Sequence, residues 1–355
     1  MFGIGKPSLV GLDIGSSTVK AVELALKGPD KGFELKGLGI AALPSEAIVQ
    51  GAFLNSGAIV DTVREAIDNG RIKTKEVAVA VSGHSVIVKK VSLPSMTREE
   101  LEDQIQWEAE QYIPFDVNEV HLDFQMLDTS EGDGQMDVLL VAAKRDLVDD
   151  YVQVITEAGL IPTVIDVAAF AVENAYEYNY PASSDEVIAL VNIGAQVVNI
   201  NVVQGGIPAF TRDITTGGNQ YTEEIQKALG VSFEEAERIK MGESASSSDQ
   251  EVVPQEVEQA VRSVTDTVIG EIARSLDFFT ATSVESRISR VLLSGGAAQI
   301  VGFDASFRDR TGLEVEIMNP LARMLPSKGF EPDYLAELAP ALGVGVGLAT
   351  RRVLA

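Results

Sequence analysis

Alternating apolar and polar positions occur in two similar stretches that lie half the chain apart. The first reads VGLDIGSSTVKAVEL over residues 10–24, and the second reads LVNIGAQVVNINVV over residues 190–203. Aligning them sets Asp13 against Asn192 and Gly15 against Gly194, an offset of 179 residues. A period of two predicts strands, and a glycine between two such runs predicts a turn. Each stretch is therefore predicted to be a strand, an acid or amide, a glycine turn and a second strand.

Strands and helices alternate through the rest of the first half. Residues 35–43 and 77–81 are predicted strands, and residues 61–69 form a predicted amphipathic helix that ends at Gly70. A unit of strand, helix, strand, strand and helix follows, with its elements at 85–93, 97–113, 120–127, 137–143 and 146–158. Its first helix opens with a capping box at Thr97 and Glu100. This order predicts a mixed α/β protein with a module inserted into its first lobe.

The second half repeats the alternation with longer helices. Helices are predicted over 215–229, 232–241, 257–279 and 339–350, and a strand over 288–293. Residues 242–254 read as a low-complexity acidic loop. The last helix carries Gly343, Gly345 and Gly347, a spacing that looks like a dinucleotide fingerprint. Because no strand precedes it, close helix packing is the better explanation.

Charge and composition narrow the possible functions. The 355 residues contain 28 Lys+Arg and 53 Asp+Glu, a net charge of −25, which disfavours nucleic-acid binding and direct polybasic membrane anchoring. The same charge makes a nucleotide site depend on a cation, which points to Mg²⁺. With no cysteine and only two histidines, thiolate chemistry is excluded and a histidine metal site is disfavoured. No signal peptide or membrane-spanning run is found, so the protein is predicted to be cytosolic.

The two glycine turns are the first candidates for chemistry. Glycines let backbone N–H groups approach a phosphate closely, Asp13 is placed to hold Mg²⁺ through a water, and Lys20 is placed to reach a phosphate oxygen. The alternative is a plain hairpin with a surface aspartate. In the second turn Asn192 replaces the acid, so it orders a water but brings no charge and no base. The residues predicted to hold phosphates and Mg²⁺ are Asp13, Gly15, Ser16, Ser17, Thr18, Lys20, Asn192, Gly194, Ala195 and Gln196.

Three further features are candidates for the rest of a nucleotide. Gly295 and Gly296 follow an apolar strand, where ligands favour the carboxyl end, although a plain strand-to-helix turn explains them too. Gly217 and Gly218 open a helix whose N-terminus favours anions. Glu237 and Lys240 lie one helical turn apart, and their spacing alone favours a solvated ion pair.

The order of these motifs resembles the actin-like ATPase superfamily, which includes sugar kinases, heat-shock chaperones, actin and FtsA. The resemblance implies a two-lobed α/β fold of duplicated ribonuclease-H-like domains that binds ATP with Mg²⁺. Its two phosphate turns correspond to residues 13–20 and 192–196, its connecting helices to 166–175 and 340–350, and its adenosine turn to 294–297. The helix of Glu237 and Lys240 resembles the adenosine-contacting helix of bacterial actins, which favours a nucleoside role for both.

The inserted module resembles the interaction subdomain that FtsA carries. The strings EAEQYIPFD at 108–116 and EIARSLDFF at 271–279 resemble the PilM family of type IV pilus assembly proteins. That likeness implies a scaffold at the inner face of the inner membrane, attached only through its partner, the N-terminal cytoplasmic peptide of PilN. The peptide is expected in a groove between the first lobe and the module, lined by Val86, Val88 and helix 97–113. Other pilus platform or motor proteins are further expected partners.

The resemblance also implies a division into four subdomains. The first lobe comprises residues 1–84, 160–185 and 338–355, and the interaction subdomain comprises 85–159. The second lobe comprises 186–215 with 276–337, and its cap comprises 216–275. The rival hypothesis is an active ATPase or small-molecule kinase, for which Asp166 is the candidate general base. A filament-forming actin is a third hypothesis, which the inserted module disfavours.

Overall fold

The secondary structure alternates strands and helices along the whole chain. The computed structural model describes residues 9–28, 32–127, 134–181, 186–242, 255–283, 287–325 and 329–354. Its strands are β1 (Val10–Ile14), β2 (Thr18–Leu26), β3 (Phe33–Ala42), β4 (Ile48–Val49), β5 (Ala52–Phe53), β6 (Glu76–Val81), β7 (Val86–Pro94), β8 (Val120–Leu127), β9 (Gln135–Lys144), β10 (Ile161–Val167), β11 (Val187–Ile193), β12 (Val198–Gln204), β13 (Ile207–Ile214), β14 (Arg290–Ser294) and β15 (Glu314–Ile317). Its α-helices are α1 (Ser56–Asn69), α2 (Arg98–Glu110), α3 (Arg145–Glu157), α4 (Ala168–Asn179), α5 (Gly218–Leu229), α6 (Phe233–Lys240), α7 (Gln255–Thr282), α8 (Phe303–Thr311), α9 (Pro332–Leu338) and α10 (Gly343–Leu354).

Two five-stranded sheets have the same topology. The first has the order β10-β6-β1-β2-β3, and the second, taken in the same sense, has the order β15-β14-β11-β12-β13. In each sheet the first three strands along the chain are antiparallel neighbours, and the two later strands run parallel to the first. We call the parts built on these sheets the first and second lobes. The duplication predicted from the two hairpins is confirmed.

The helices α4 and α10 join the lobes through a shared apolar core. This core takes side chains from both sheets as well as from α4 and α10. Glycine lets α10 approach its neighbours closely: a Cβ on Gly11 of β1 would lie 1.9 Å from the Gly345 carbonyl oxygen, and a Cβ on Gly347 would lie 1.6 Å from the Ala171 carbonyl oxygen. Gly345 and Gly347 therefore serve close packing, as the sequence predicted, whereas a Cβ on Gly343 would make only ordinary contacts.

The inserted unit contains a separate antiparallel sheet of order β7-β9-β8. The helix α2 covers it through Leu101, Ile105 and Ala109, and the predicted capping box between Thr97 and Glu100 is present. The last helix of the inserted unit, α3, belongs to a different core. Its buried side packs with α1 and the first five-stranded sheet. The four predicted subdomain boundaries stay a prediction.

Several predicted elements need correction. The helix predicted to begin at Asp166 begins at Ala168, because residues 161–167 form β10, which pairs with β6. The strands β13 and β15 and the helices α8 and α9 had no prediction, and α1 begins five residues before the predicted start. Apart from Gly242, the predicted acidic loop lies outside the described residues. No helix among the described residues combines the length and apolar character needed to cross a bilayer.

Candidate nucleotide site

The first candidate turn joins β1 to β2. The N–H of Gly15 donates to the Thr18 carbonyl oxygen at 3.0 Å, which closes a four-residue turn with Ser16 and Ser17 at its tip. Asp13 and Lys20 are directly paired across the two strands, and their charged groups lie 3.2 Å apart. Both side chains are largely buried. The turn therefore carries a carboxylate and an ammonium group beside its tip.

The second turn, between β11 and β12, has the same backbone and different chemistry. The N–H of Gly194 donates to the Val197 carbonyl oxygen at 2.9 Å, as expected from the 179-residue offset. Asn192 and Asn199 take the places of Asp13 and Lys20, and the Asn192 Nδ2 donates to Asn199 Oδ1 at 3.0 Å. An amide pair therefore replaces the ion pair.

The tips of both turns offer backbone donors. In the described part of the chain, the N–H groups of Ser16 and Ser17 have no hydrogen-bond acceptor, and the same holds for Ala195 and Gln196. Two adjacent free N–H groups in a glycine turn form a concave binding site for an anion. The second turn also contacts the first lobe, because the Gln196 side chain donates to Ile48 O at 2.9 Å and accepts from Gln50 N at 3.0 Å.

The N-terminus of α5 supports the second turn. The N–H of Gly218 donates to Gly194 O at 2.9 Å, and the N–H of Asn219 donates to Ala195 O at 2.8 Å. A Cβ on Gly217 would lie 2.4 Å from Gly194 O, so this contact requires glycine. Gly217 and Gly218 thus lie where they were predicted, but the Gly218 N–H is engaged by protein instead of free for a phosphate.

Glu237 and Lys240 form a partly buried cluster with Thr222 of α5, whose hydroxyl is fully buried. The Lys240 ammonium group donates to Glu237 Oε2 at 2.6 Å, to Thr222 Oγ1 at 3.0 Å and to Gly218 O at 3.3 Å, which uses its three donors. Thr222 also donates to Glu237 Oε2, at 2.5 Å. Within the described residues no donor reaches the other oxygen, Oε1. The spacing alone favours a solvated ion pair, and the structure differs from this on the lysine side: 11% of the Lys240 side chain is exposed, against 34% of the Glu237 side chain.

The predicted adenosine turn follows β14. Gly295 has a φ of +91°, and a Cβ there would lie 2.3 Å from Ile193 O, so the turn packs tightly on the end of β11. A Cβ on Gly296 would meet nothing within 4 Å. A Cβ on Gly218 would lie 3.2 Å from that of Ala297, which places this turn beside the α5 cluster. Gly296 therefore presents an open backbone surface in the turn whose next residue, Ala297, contacts Gly218.

Asp166 lies at the end of β10, held by protein groups. Its Oδ2 accepts from Arg351 Nε at 2.7 Å, and its Oδ1 accepts from Val167 N at 2.8 Å. Burial raises its pKa, and the Arg351 charge opposes that rise. Register places Asp166 on the same face as Asp13, two strands or about 10 Å away. Its ion pair with Arg351 explains Asp166 without a role as general base.

The donor set suits one kind of metal ion. No group of three or more metal-ligating His, Cys, Asp or Glu side chains occurs in the described ranges. Mg²⁺ in nucleotide sites is held by one or two carboxylates together with phosphate oxygens and water. Asp13, beside a turn with free N–H groups, fits that mode of binding.

Two lobes of duplicated topology, each with the same glycine turn between its first two strands, are the architecture of the actin-like ATPase class. Cell division protein FtsA of Escherichia coli K12 is 23% identical over 359 residues, covering 88% of this chain and 84% of that protein. The Bacillus subtilis FtsA is 24% identical over 65% of this chain and 57% of its own length. MreB5 of Spiroplasma citri bound to ADP shares the fold, with 13% identity, a TM-score of 0.52, and coverage of 98% and 97%.

A narrower assignment comes from the family comparison. The model of the type IV pilus assembly protein PilM matches residues 11–353. A structure of a PilM-PilN type IV pilus biogenesis complex matches with a TM-score of 0.86 and 29% identity, covering 98% of this chain and 99% of that one. The chain belongs to the PilM family.

The sequence did not identify three polar residues at the site. Asn199 was predictable in principle, because the 179-residue offset sets it against Lys20. Thr222 is a fully buried hydroxyl on α5, and a threonine in a helix carries no visible signal. Asp213 lies in β13, a strand that had no prediction, and its carboxylate accepts from Asn199 Nδ2 at 2.8 Å and from Gly83 N at 2.5 Å.

Proposed function

We propose that this chain is a nucleotide-holding scaffold of type IV pilus assembly. It binds ATP with Mg²⁺ between its two glycine turns, and it binds the N-terminal cytoplasmic peptide of a PilN partner beside the inserted sheet. The observation that carries the nucleotide part is the pair of equivalent turns, each with two free N–H groups at its tip. Family membership and the likeness to a PilM-PilN complex support the partner.

Each part of the site has a separate task. The N–H groups of Ser16, Ser17, Ala195 and Gln196 donate to phosphate oxygens, and Lys20 balances part of their charge. Asp13 holds Mg²⁺ through a water, and the bound Mg²⁺ neutralises the phosphates of a ligand that a chain of net charge −25 would otherwise repel.

The nucleoside lies between the α5–α6 cluster and the turn after β14. Gly296 leaves room for a flat ring, and Glu237 Oε1 accepts a hydrogen bond from the sugar. Lys240 has no donor left for the nucleotide, because all three of its N–H donors are used within the protein. Its role is to hold the Glu237 carboxylate in place.

The same site is poorly equipped for hydrolysis. Asn192 cannot act as a base, and Asp166 is held by Arg351. A scaffold therefore fits better than the rival ATPase or kinase. Steady-state phosphate release of about 1 s⁻¹ or faster, the low end of kinase rates, would contradict the scaffold and support the rival.

The peptide is proposed to lie along β7, an edge strand whose Val86 and Val88 are half-buried. An edge strand offers unpaired N–H and C=O groups to an extended peptide. Peripheral attachment at the inner membrane would follow from this partner, and other platform or motor proteins are further proposed partners.

Calorimetry with Mg-ATP and with a PilN-like N-terminal peptide tests both parts. We expect ATP binding that is lost in Asp13→Ala and kept in Asp61→Asn, an exposed aspartate on α1. The single tryptophan, Trp107 on α2, is exposed and reports peptide binding by fluorescence. No ATP binding by the wild type, or unchanged affinity in Asp13→Ala, would contradict the nucleotide site. No peptide binding with or without ATP would contradict the partner.

A further inference from the structure

A row of polar side chains crosses the second sheet from the nucleotide turns to the inserted unit. Its members are Ser294 on β14, Asn192 on β11, Asn199 on β12 and Asp213 on β13, and each is directly paired in register with the next. We call these four residues the polar row. Ser294 and Asn199 are buried, at 0% and 5% exposure. Such a row inside a sheet is stable only when its members satisfy one another.

All hydrogen bonds of the polar row point the same way. Ser294 Oγ donates to Asn192 Oδ1 at 3.3 Å, and Asn192 Nδ2 donates to Asn199 Oδ1 at 3.0 Å. Asn199 Nδ2 then donates to Asp213 Oδ1 at 2.8 Å. The direction follows from its end, because an ionised carboxylate only accepts hydrogen bonds. Asp213 thus forces the Asn199 amide to turn its oxygen towards Asn192.

The far end of the polar row contacts the linker into the inserted unit. The other oxygen of Asp213 accepts from the N–H of Gly83, in the link between β6 and β7. Gly83 has a φ of +91°, so the linker is fixed in a conformation that favours glycine. The Asp213 carboxylate is buried, and burial raises its pKa while its bonds from Asn199 and Gly83 oppose the rise.

We propose that Asp213 is a positioning residue that fixes the carboxamide of Asn192 and ties the second turn to the linker of the inserted unit. This rests on the proposed nucleotide function in one respect: Asn192 Oδ1 is the atom that would accept from a water on Mg²⁺. With Asp213 present, Asn192 must present its oxygen to Ser294 and to that water. Without the carboxylate, both amides of the polar row are free to flip.

The first test is Asp213→Asn, with Asp61→Asn as the control for loss of an exposed charge. We expect the affinity for Mg-ATP to fall about ten- to a hundredfold, the usual effect of losing a residue that orients a metal ligand. Affinity for ATP in EDTA should not change. The double variant Asn199→Asp with Asp213→Asn returns a carboxylate to the place beside Asn192, and we expect it to regain wild-type Mg-ATP affinity. Unchanged affinity in the single variant, or a double variant as weak as the single, would overturn the proposal.

Hydrogen exchange of residues 82–86 tests the linker contact without any nucleotide. Because a bond to a charged acceptor is roughly twice as strong as a neutral one, we expect faster exchange at Gly83 in Asp213→Asn than in the wild type or Asp61→Asn. Equal exchange in all three proteins would overturn the linker contact. If the wild type binds no Mg-ATP at all, the proposed function fails, and this measurement still decides whether Asp213 anchors the linker. Circular dichroism checks that each variant is folded.

Discussion

The contact between α4 and α10 leads to a sharp prediction for Gly347→Ala. The added Cβ would lie 1.6 Å from the Ala171 carbonyl oxygen, whereas real Cβ contacts stay above 3.0 Å. The two helices must therefore separate by about 1.4 Å. Neither contacting group is a flexible side chain, so no change of rotamer relieves the overlap.

The cost follows from what these helices hold together. A gap of about 0.5–1 Å already forfeits a quarter to a half of the dispersion energy of the facing atoms. Both helices belong to the core shared by the two lobes, so the separation affects both sheets. Overpacking typically costs about 1–3 kcal/mol, and we expect Gly347→Ala to lower the free energy of unfolding by about 3 kcal/mol or more.

Gly343→Ala at the start of the same helix is the matched control. Its Cβ would lie 3.6 Å from the Ser294 side chain and 3.9 Å from Val172 Cγ2, which are ordinary contacts. Alanine in a helix is favoured over glycine by about 0.5–1 kcal/mol, so this variant should be as stable as the wild type or more so. Urea unfolding followed by far-ultraviolet circular dichroism measures both. Equal stabilities of the two variants would refute the packing argument.

Three further predictions concern polar groups. Gln196→Ala removes both bonds to the β4–β5 hairpin, so that hairpin should exchange hydrogen faster and the protein should lose about 1–2 kcal/mol in urea unfolding. Thr222→Val frees Glu237 and Lys240 from their shared hydroxyl, so ATP affinity should fall while pyrophosphate affinity stays unchanged in calorimetry. Burial raises the pKa of Glu173 to about 8 from 4.5, so the folded state holds an extra proton between these values and stability falls as pH rises through them. The free energy of unfolding of Glu173→Gln, measured relative to the wild type, should therefore rise by at least about 1.4 kcal/mol between pH 5 and pH 8. A difference between the two proteins that does not change with pH would contradict the raised pKa.

Elements with a local signal were predictable from the sequence. The two hairpins follow from their period of two and their glycine turns, and α2 and α7 follow from a capping box and a long apolar stripe. The strands β10, β13 and β15 carry no such signal, because pairing with β6, β12 and β14 stabilises them. Asp166 was placed on a helix for this reason.

The candidate site likewise has features with a local sequence signal and features that depend on tertiary contacts. Its turns and its glycines were visible as motifs, and Glu237 and Lys240 were visible as a pair. The sequence does not show that Lys240 donates all three of its hydrogen bonds within the protein. Two of the acceptors, on Thr222 and Gly218, belong to another helix that only the tertiary fold brings close. Asp213 was out of reach for the same reason, since its role depends on three strands pairing in register.

The two lobes have the same backbone topology, but the carboxylate of the row beside the glycine turn lies at a different position in each. In the first lobe the row through Asp13 and Lys20 ends on Ile40 of β3, and the carboxylate stands beside the turn. In the second lobe the equivalent row begins with two amides and ends on Asp213 of β13. Position 192 carries an amide and no carboxylate, and the carboxylate at position 213 orients that amide through Asn199. Asp213 also accepts from the N–H of Gly83, so the carboxylate that fixes Asn199 is the one that joins the second sheet to the linker of the inserted unit.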